Sequence, residues 1–206
     1  MPQRLGVIDS FFLSLEANRA PMHVGGLLTF VTEPESPGRP GIDAIFDTIE
    51  SRLPLLPRCR QRLVDVPLRL GRPVWVDDPD FDIRNHLHRV RLRAPGSRAQ
   101  LIELVESLHA SRLHRGRPLW EMHLIEGLEG GRTAVYAKLH HVMVDGISAV
   151  QLGMVLLDLD PDGALAPQVP AAAEPDRVPP AGELLASAAL DAAGEMAAVG
   201  AQAVRS

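Results

Sequence analysis

The chain has 206 residues, of which 46% are hydrophobic and 23% are charged, and its formal net charge is −5. This length and composition are typical of a globular protein with one or two domains and a substantial apolar core. The mild excess of acidic groups argues against a nucleic-acid-binding protein, which would present a basic surface. The one cysteine, Cys59, excludes an internal disulfide and fits a reducing compartment.

The N-terminal region lacks the features of a targeting segment. No basic start precedes an apolar core, so we expect no signal peptide, and no run reaches the ~20 apolar residues of a membrane span. We therefore expect a cytoplasmic protein whose contact with membranes or lipid inclusions is peripheral. Residues 9–18 predict a short helix capped by Asp9, with Phe11, Phe12 and Leu15 on its buried side.

The middle of the chain alternates between strand and helix patterns. A buried strand is predicted over His23–Val31, where Gly25-Gly26 allows a neighbouring group to approach closely. Helical spacing of apolar residues predicts helices over residues 42–53 and 97–113, the second opened by a capping box at Ser97. Short strands are predicted around Gln61–Val66, Val74–Val76 and Asn85–Leu92.

A β-hairpin is predicted next, because Met122–Leu128 and Ala134–His140 have strand character and a glycine-rich turn joins them. The segment before the hairpin, Pro118-Leu119-Trp120-Glu121, is interpreted as scaffold. Its tryptophan offers a large apolar surface with one N–H donor, and its glutamate suits an ion pair with an arginine such as Arg117. These features favour a structural role over a catalytic one.

The hairpin leads directly into His140-His141-Val142-Met143-Val144-Asp145-Gly146. Side chains alternate along a strand, so the two histidines are expected on opposite faces, with His141 on the side of the aliphatic residues. Histidine suits proton abstraction from a hydroxyl, because its pKa lies nearest neutrality. Asp145 can orient a ring or hold the turn, and Gly146 allows a sharp change from strand to helix. The alternative is a buried strand that ends in a polar turn, with one histidine in the core.

The other histidines do not form a recognisable metal motif. His86 and His88 alternate along one predicted strand, and His109 and His114 lie farther on, without the tight spacing of zinc ligands. The paired histidines of the motif face opposite ways and cannot share one ion. We therefore expect no metal in the site.

The character of the chain changes after the motif. Helical spacing resumes at Ile147, and frequent prolines over residues 161–181 predict an extended linker. Residues 182–206 are rich in alanine and predict a helix, but they offer few large apolar side chains, so we expect a partner to hold it. We divide the chain into a domain over residues 1–160, the linker, and a helix that leads toward a second domain.

The string His-His-x-x-x-Asp-Gly resembles the motif of coenzyme A-dependent acyltransferases with the chloramphenicol-acetyltransferase-like fold, and of peptide-synthetase condensation domains. Pro118–Glu121 with Met122–Gly127 resembles a second marker, that of the bacterial wax ester synthase/diacylglycerol acyltransferase family. Asp9–Glu16 and Pro21–Gly25 resemble the N-terminal part of the same family. Three motifs in the same order, within residues 4–160, argue against a chance match. The resemblance implies an α/β fold, half of a chloramphenicol-acetyltransferase-like molecule, with a mixed sheet flanked by helices.

The resemblance also implies a function. It implies an O-acyltransferase that moves a long-chain acyl group from acyl-coenzyme A to diacylglycerol or a fatty alcohol, as in triacylglycerol or wax ester synthesis. It implies His141 as general base, Asp145 as the residue that holds the motif's geometry, and His140 and Gly146 as support. His23 is a candidate for the substrate channel. Acyl-coenzyme A is then a co-substrate, no prosthetic group is needed, and a second acyltransferase domain or chain completes the channel.

Two other functions stay open. A condensation-like domain would act on carrier-bound acyl groups, although no carrier-protein segment is present and Pro118–Glu121 favours the wax ester synthase family. A non-catalytic half-domain would bind a lipid or a partner and keep the motif for its fold. We expect the chain by itself to be inactive and to associate through an exposed apolar patch.

Overall fold

The computed structural model describes residues 3–18, 21–31, 43–143 and 177–203. Within these residues the elements, in chain order, are α1 (Val7–Asn18), β1 (His23–Val31), α2 (Asp43–Arg52), β2 (Gln61–Val64), β3 (Val74–Asp77), β4 (Leu87–Arg91), α3 (Arg98–Ala110), β5 (Trp120–Leu128), β6 (Arg132–His140) and α4 (Ala181–Ala203). A short 3-10 turn, His141–Met143, follows β6 directly. The α/β class expected from the sequence is confirmed.

Four strands form the central sheet of the described residues, in the order β1-β6-β5-β4. β1, β6 and β5 pair antiparallel, whereas β4 runs parallel to β5. β2 and β3 form a separate antiparallel pair. The central sheet is therefore mixed and flanked by helices, as expected.

The predicted hairpin is present, and each of its strands begins two residues earlier than expected, at Trp120 and Arg132. Gly130 and Gly131 form its turn with φ of 75° and 66°, a backbone region that favours glycine. In β1, a Cβ atom at Gly25 would lie 2.9 Å from the Tyr136 hydroxyl. This close approach explains why a residue without a side chain occupies that position.

The two faces of the central sheet carry different side chains. One face, here called the apolar face, packs on α2 and the turns that follow it, and it contains the main core. Its members on β5 and β6 are Trp120, Met122, Leu124, Val135, Ala137 and Leu139. The opposite face is covered by α3, where Leu101 and partly buried Leu104, Val105 and Leu108 pack against Ile125 and Ala134.

Helix α3 begins with the predicted capping box. The Ser97 hydroxyl accepts the Gln100 N–H at 3.3 Å, and the Ser97 N–H donates to Gln100 Oε1 at 2.8 Å. The strand predicted over Asn85–Leu92 is shorter, because a 3-10 turn occupies Ile83–Asn85. The side chain of Asp82 accepts the Arg84 N–H and so fixes the start of that turn.

Helix α1 differs from the prediction in the side that it buries. It begins at Val7, before the expected Asp9 cap, and Phe11 is 60% exposed. Its buried positions are Asp9, Leu13 and Glu16, whose spacing places them on one helical face. Two of these residues are acidic, so apolar periodicity alone could not identify the face.

Helix α4 confirms the predicted alanine-rich helix, and its first half contacts the rest of the chain. Leu184 is buried against Val74 and Val76 of β3, and Arg4 forms an ion pair with Asp191. The expectation that a partner alone would hold this helix is wrong for its first half. Among the described helices, none combines the length and the apolar character needed to cross a bilayer.

Candidate functional site

The α3 side of the central sheet carries a set of polar side chains near the end of β6. They contact one another through hydrogen bonds, ion pairs and stacked rings. We call this set the polar layer, and it consists of Glu16, His23, His88, His109, Glu121, His123, Tyr136, Lys138 and His140. The strand alternation predicted from the sequence accounts for part of it, since Tyr136, Lys138 and His140 share one face of β6.

His140 is the more buried of the two motif histidines, with 1% of its surface exposed. Its Nδ1 accepts the backbone N–H of Val142 at 3.2 Å, so in the neutral ring the proton lies on Nε2. Nε2 is 3.2 Å from Glu16 Oε2, although the N–H does not point along that line. Burial lowers the pKa of His140, and the nearby Glu16 carboxylate opposes that effect. Burial therefore favours the neutral form of His140.

Glu16 joins His140 to His23. The His23 Nδ1–H donates to the carbonyl oxygen of His109 at 3.0 Å, and His23 Nε2 lies 3.8 Å from Glu16 Oε1. Burial lowers the pKa of His23, while its bond to the His109 carbonyl acts in the opposite direction. The His23 side chain is fully buried, so it lines no open surface of the described residues. Sequence reasoning missed Glu16, whose only signal was its position seven residues after Asp9 on the same helical face.

His141 does not extend β6, so the strand alternation from which a face shared with Val135 was predicted ends one residue before it. The strand ends at His140, and His141 opens the 3-10 turn, with its N–H donating to the Met22 carbonyl at 2.8 Å. Its ring centroid is 4.3 Å from that of Phe12, with the planes tilted by 41°. Nδ1 is buried and has no hydrogen-bond partner in the described part of the chain.

The turn that carries His141 is anchored by Val142 and Met143, whose side chains are buried in the main core. The two motif histidines thus contact different neighbours. Asp145 and Gly146, and the helix predicted from Ile147, lie outside the described residues.

Lys138 is fully buried and binds the C-terminal end of α3. Its Nζ donates to the carbonyl oxygens of Leu108 and Ser111 at 2.9 and 3.1 Å, and to the Ser111 hydroxyl at 2.9 Å. Carbonyl groups at a helix C-terminus have no partner inside the helix and favour a cation. The one lysine of the chain therefore joins α3 to the sheet.

Glu121 pairs with Lys138 and not with Arg117, which corrects the sequence interpretation. Its Oε2 is 3.2 Å from Lys138 Nζ and 3.5 Å from His123 Nε2. Burial raises the pKa of Glu121, but its close contacts with His123 and Lys138 outweigh burial and hold the pKa at about 2. Glu121 is therefore ionised at any physiological pH.

The other residues of the Pro118–Glu121 segment are buried in the apolar side of the molecule. The Trp120 Nε1–H donates to the carbonyl oxygen of Cys59 at 2.8 Å, and the indole stacks on His86 with centroids 4.6 Å apart. His86 Nδ1–H in turn donates to the Trp120 carbonyl at 2.8 Å. The segment thus joins β5 to the turn around Cys59.

A family model described as the wax ester synthase/diacylglycerol acyltransferase catalytic domain matches residues 5–206. The chain belongs to this family.

Relatives and solved structures agree with that assignment. A probable diacylglycerol O-acyltransferase of Mycobacterium tuberculosis is 46% identical over 160 residues, which are 77% of this chain and 57% of that protein. A putative diacylglycerol O-acyltransferase of Mycobacterium bovis is 40% identical over 156 residues, covering 76% of this chain and 34% of that protein. The chain therefore spans about a third to somewhat over half of the length of the curated relatives that it matches.

The fold is also that of the family. The wax ester synthase/diacylglycerol acyltransferase of Marinobacter aquaeolei VT8 superposes with a TM-score of 0.64 at 36% identity, covering 81% of this chain and 41% of that one. The first condensation domain of the calcium-dependent antibiotic synthetase gives 0.53 at 17% identity, covering 68% and 33%. The second likeness shows a shared fold alone.

Proposed function

We propose that this chain supplies the general base of an O-acyltransferase that transfers a long-chain acyl group from acyl-coenzyme A to diacylglycerol or a fatty alcohol. The observation that carries the proposal is the placement of His141 on a short turn. That turn is anchored by two buried side chains and by a backbone hydrogen bond to Met22. A rigid support of this kind holds a catalytic base at a constant distance from its substrate.

The chemistry assigned to His141 is a proton transfer in two directions. The imidazole takes the proton of the acceptor hydroxyl as the oxygen attacks the thioester carbonyl. The carbon–sulfur bond then breaks, and the imidazolium returns the proton to the coenzyme A sulfur. Such general-base help is worth on the order of 10²–10⁴ in rate. These steps need no metal or prosthetic group, and acyl-coenzyme A enters as a co-substrate.

His140 and its neighbours have a supporting part in this proposal. His140 is buried between the Val142 N–H and Glu16, so it fixes the end of β6 from which the turn begins. Asp145 and Gly146 are assigned to the geometry of the motif by resemblance. The names of the relatives, as diacylglycerol O-acyltransferases and a wax ester synthase, support the acceptor classes.

A second acyltransferase domain is part of the proposal, because the relatives are longer than the matched region. Large exposed apolar side chains lie on α1 and on the edge strand β1, and they are suited to contact with that domain. They are Val7, Ile8, Phe11, Leu28, Phe30 and Val31. Apolar side chains of this size are costly to leave in water and commonly mark interaction surfaces.

The test uses a chimera in which this chain is followed by the part of the Mycobacterium tuberculosis relative that it does not match. We expect the chimera to transfer acyl groups from acyl-coenzyme A to diacylglycerol or a fatty alcohol. The variant His141→Ala should lose at least about 10² in rate while melting at nearly the same temperature. The matched variant His114→Ala changes an exposed histidine outside the site and should keep the rate.

Two outcomes would contradict the proposal. If a folded chimera transfers no acyl group to either acceptor, the assigned activity is wrong. If a folded His141→Ala chimera works at the original rate, the assigned activity stands but the assignment of His141 as general base is wrong.

A further inference from the structure

The central sheet brings together three side chains that are scattered in the sequence. His88 of β4 is paired in register with His123 of the parallel strand β5, and Glu121 lies two residues before His123 on the same face. One ligand atom from each of the three lies within 4.8 Å of the others. Two imidazoles and a carboxylate form a donor set that divalent first-row metals accept.

His123 is the residue that this arrangement leaves without a satisfactory partner. It is 5% exposed, and neither ring nitrogen makes a regular hydrogen bond within the described residues. Its ring stacks on the rings of His88 and Tyr136, with centroids 4.9 and 6.1 Å away, and these contacts use the faces of the ring and not its nitrogens. A buried polar atom without a partner is costly, and a metal ion would remove that cost.

The protonation states suit metal binding near neutral pH. Burial lowers the pKa of His88, and the neighbouring His123 adds to that effect, so His88 offers a neutral ring. Glu121 is ionised, with its pKa held at about 2. Metal ligands must be deprotonated, so His88 and Glu121 need no further proton loss.

Lys138 is a cation close to these three side chains. Its contacts show how Lys138 and a metal ion could both be accommodated. Its three hydrogen bonds to the end of α3 fix its position without Glu121. Lys138 and His123 both approach Oε2 of Glu121, which leaves Oε1 for a metal ion. A ligand carboxylate whose second oxygen is held by a donor is a common arrangement at metal sites.

We propose that His88, Glu121 and His123 bind one divalent transition-metal ion, with Zn²⁺ as the best fit. Zinc ligand atoms bonded at about 2.0–2.2 Å stand closer together than the present spread of up to 4.8 Å. Binding would therefore draw the three side chains closer together. The open fourth position would hold water. The ion would stabilise the polar layer and would take no part in acyl transfer, so the inference does not depend on the proposed function.

The experiment titrates the purified 206-residue chain, first freed of metal by a chelator, with Co²⁺ as a coloured substitute for Zn²⁺. We expect one Co²⁺ per chain, visible absorption bands of low-symmetry coordination, and displacement by Zn²⁺. The variants His88→Ala and Glu121→Gln should each lose at least about tenfold in affinity. His114→Ala, which changes an exposed histidine outside the three, should bind as the original chain does.

A second measurement keeps the test decisive if Glu121→Gln fails to fold. Zn²⁺ should raise the melting temperature of the original chain and of His114→Ala, because a ligand that binds only the folded state stabilises it. Zn²⁺ should leave the melting temperature of folded His88→Ala unchanged. No saturable uptake of Co²⁺ by the original chain would overturn the proposal. Equal Co²⁺ affinity for the original chain and His88→Ala would do the same.

Discussion

The two faces of the central sheet are built on the same strands and are stabilised in different ways. On the apolar face, Leu124 and its neighbours are held by buried area, which depends little on the direction of each contact. On the other face, the polar layer is held by individual atoms, such as Lys138 Nζ at the end of α3. The first face should therefore tolerate exchange between residues of similar volume, and the second should not.

The difference also separates the two motif histidines. His140 belongs to the polar layer through Glu16, whereas His141 leaves the strand and contacts Phe12 of α1. The last residue of β6 is thus part of the packed interior, and the next residue is placed on a turn. The following predictions test how far this contrast between the faces holds.

The largest effect is expected for Lys138→Met. The new side chain has a similar length but leaves the Glu121 carboxylate and the last carbonyls of α3 without their cation. Removing one partner of a buried ion pair typically costs about 3–5 kcal/mol of unfolding free energy. Urea unfolding followed by circular dichroism measures it. A loss below about 1 kcal/mol would mean that the polar layer is as tolerant as the apolar face.

On the apolar face we expect a cost of about 3 kcal/mol for Leu124→Ala, because the site has no exposure and the lost volume leaves a cavity. The matched change Leu124→Met keeps the volume and should cost less than about 1.5 kcal/mol. The same urea experiment gives both values. If Leu124→Met costs as much as Lys138→Met, the contrast between the faces fails.

A smaller effect is expected for Tyr136→Phe, which removes only the hydroxyl. The Tyr136 hydroxyl lies 2.7 Å from His109 Nδ1, and the change leaves that nitrogen without its partner. The expected cost is about 1 kcal/mol, with the ring contacts to the α3 core retained. Thermal unfolding of the variant checks this value, and an increase in stability would contradict the assigned bond.

The dependence of stability on pH should come from buried histidines, among them three of the polar layer. Burial lowers the pKa of His23, His88 and His140 below the ordinary value of about 6.5. The unfolded chain therefore binds more protons than the folded chain as pH falls below 6.5, and unfolding becomes easier. We expect the melting temperature to be highest above that pH and to fall toward pH 5. A melting temperature that rises over the same interval would contradict the buried, neutral state of these rings. Glu121, whose folded pKa is about 2, adds a further loss only below about pH 4.5.

Local sequence patterns determined a large part of this protein. The capping box at Ser97, the hairpin with Gly130 and Gly131, and the alternation along β6 depend on neighbouring residues only. Three short motifs were also sufficient to indicate the family, which the match to the family model confirms. These features could be predicted because each depends on local backbone geometry or on residues close together in the chain.

The tertiary structure decided which distant side chains meet. The register of β4 on β5 sets His88 beside His123, and the packing of α1 sets Glu16 between His23 and His140. No spacing in the sequence reports these contacts, because strand order and helix docking depend on the free energy of the whole fold. For the same reason Phe11 is exposed while Glu16 is buried, against their individual hydrophobicities. The Glu16 carboxylate lies 3.8 Å from His23 Nε2 and 3.2 Å from His140 Nε2, and an apolar side chain in that place would bring no charge to these rings.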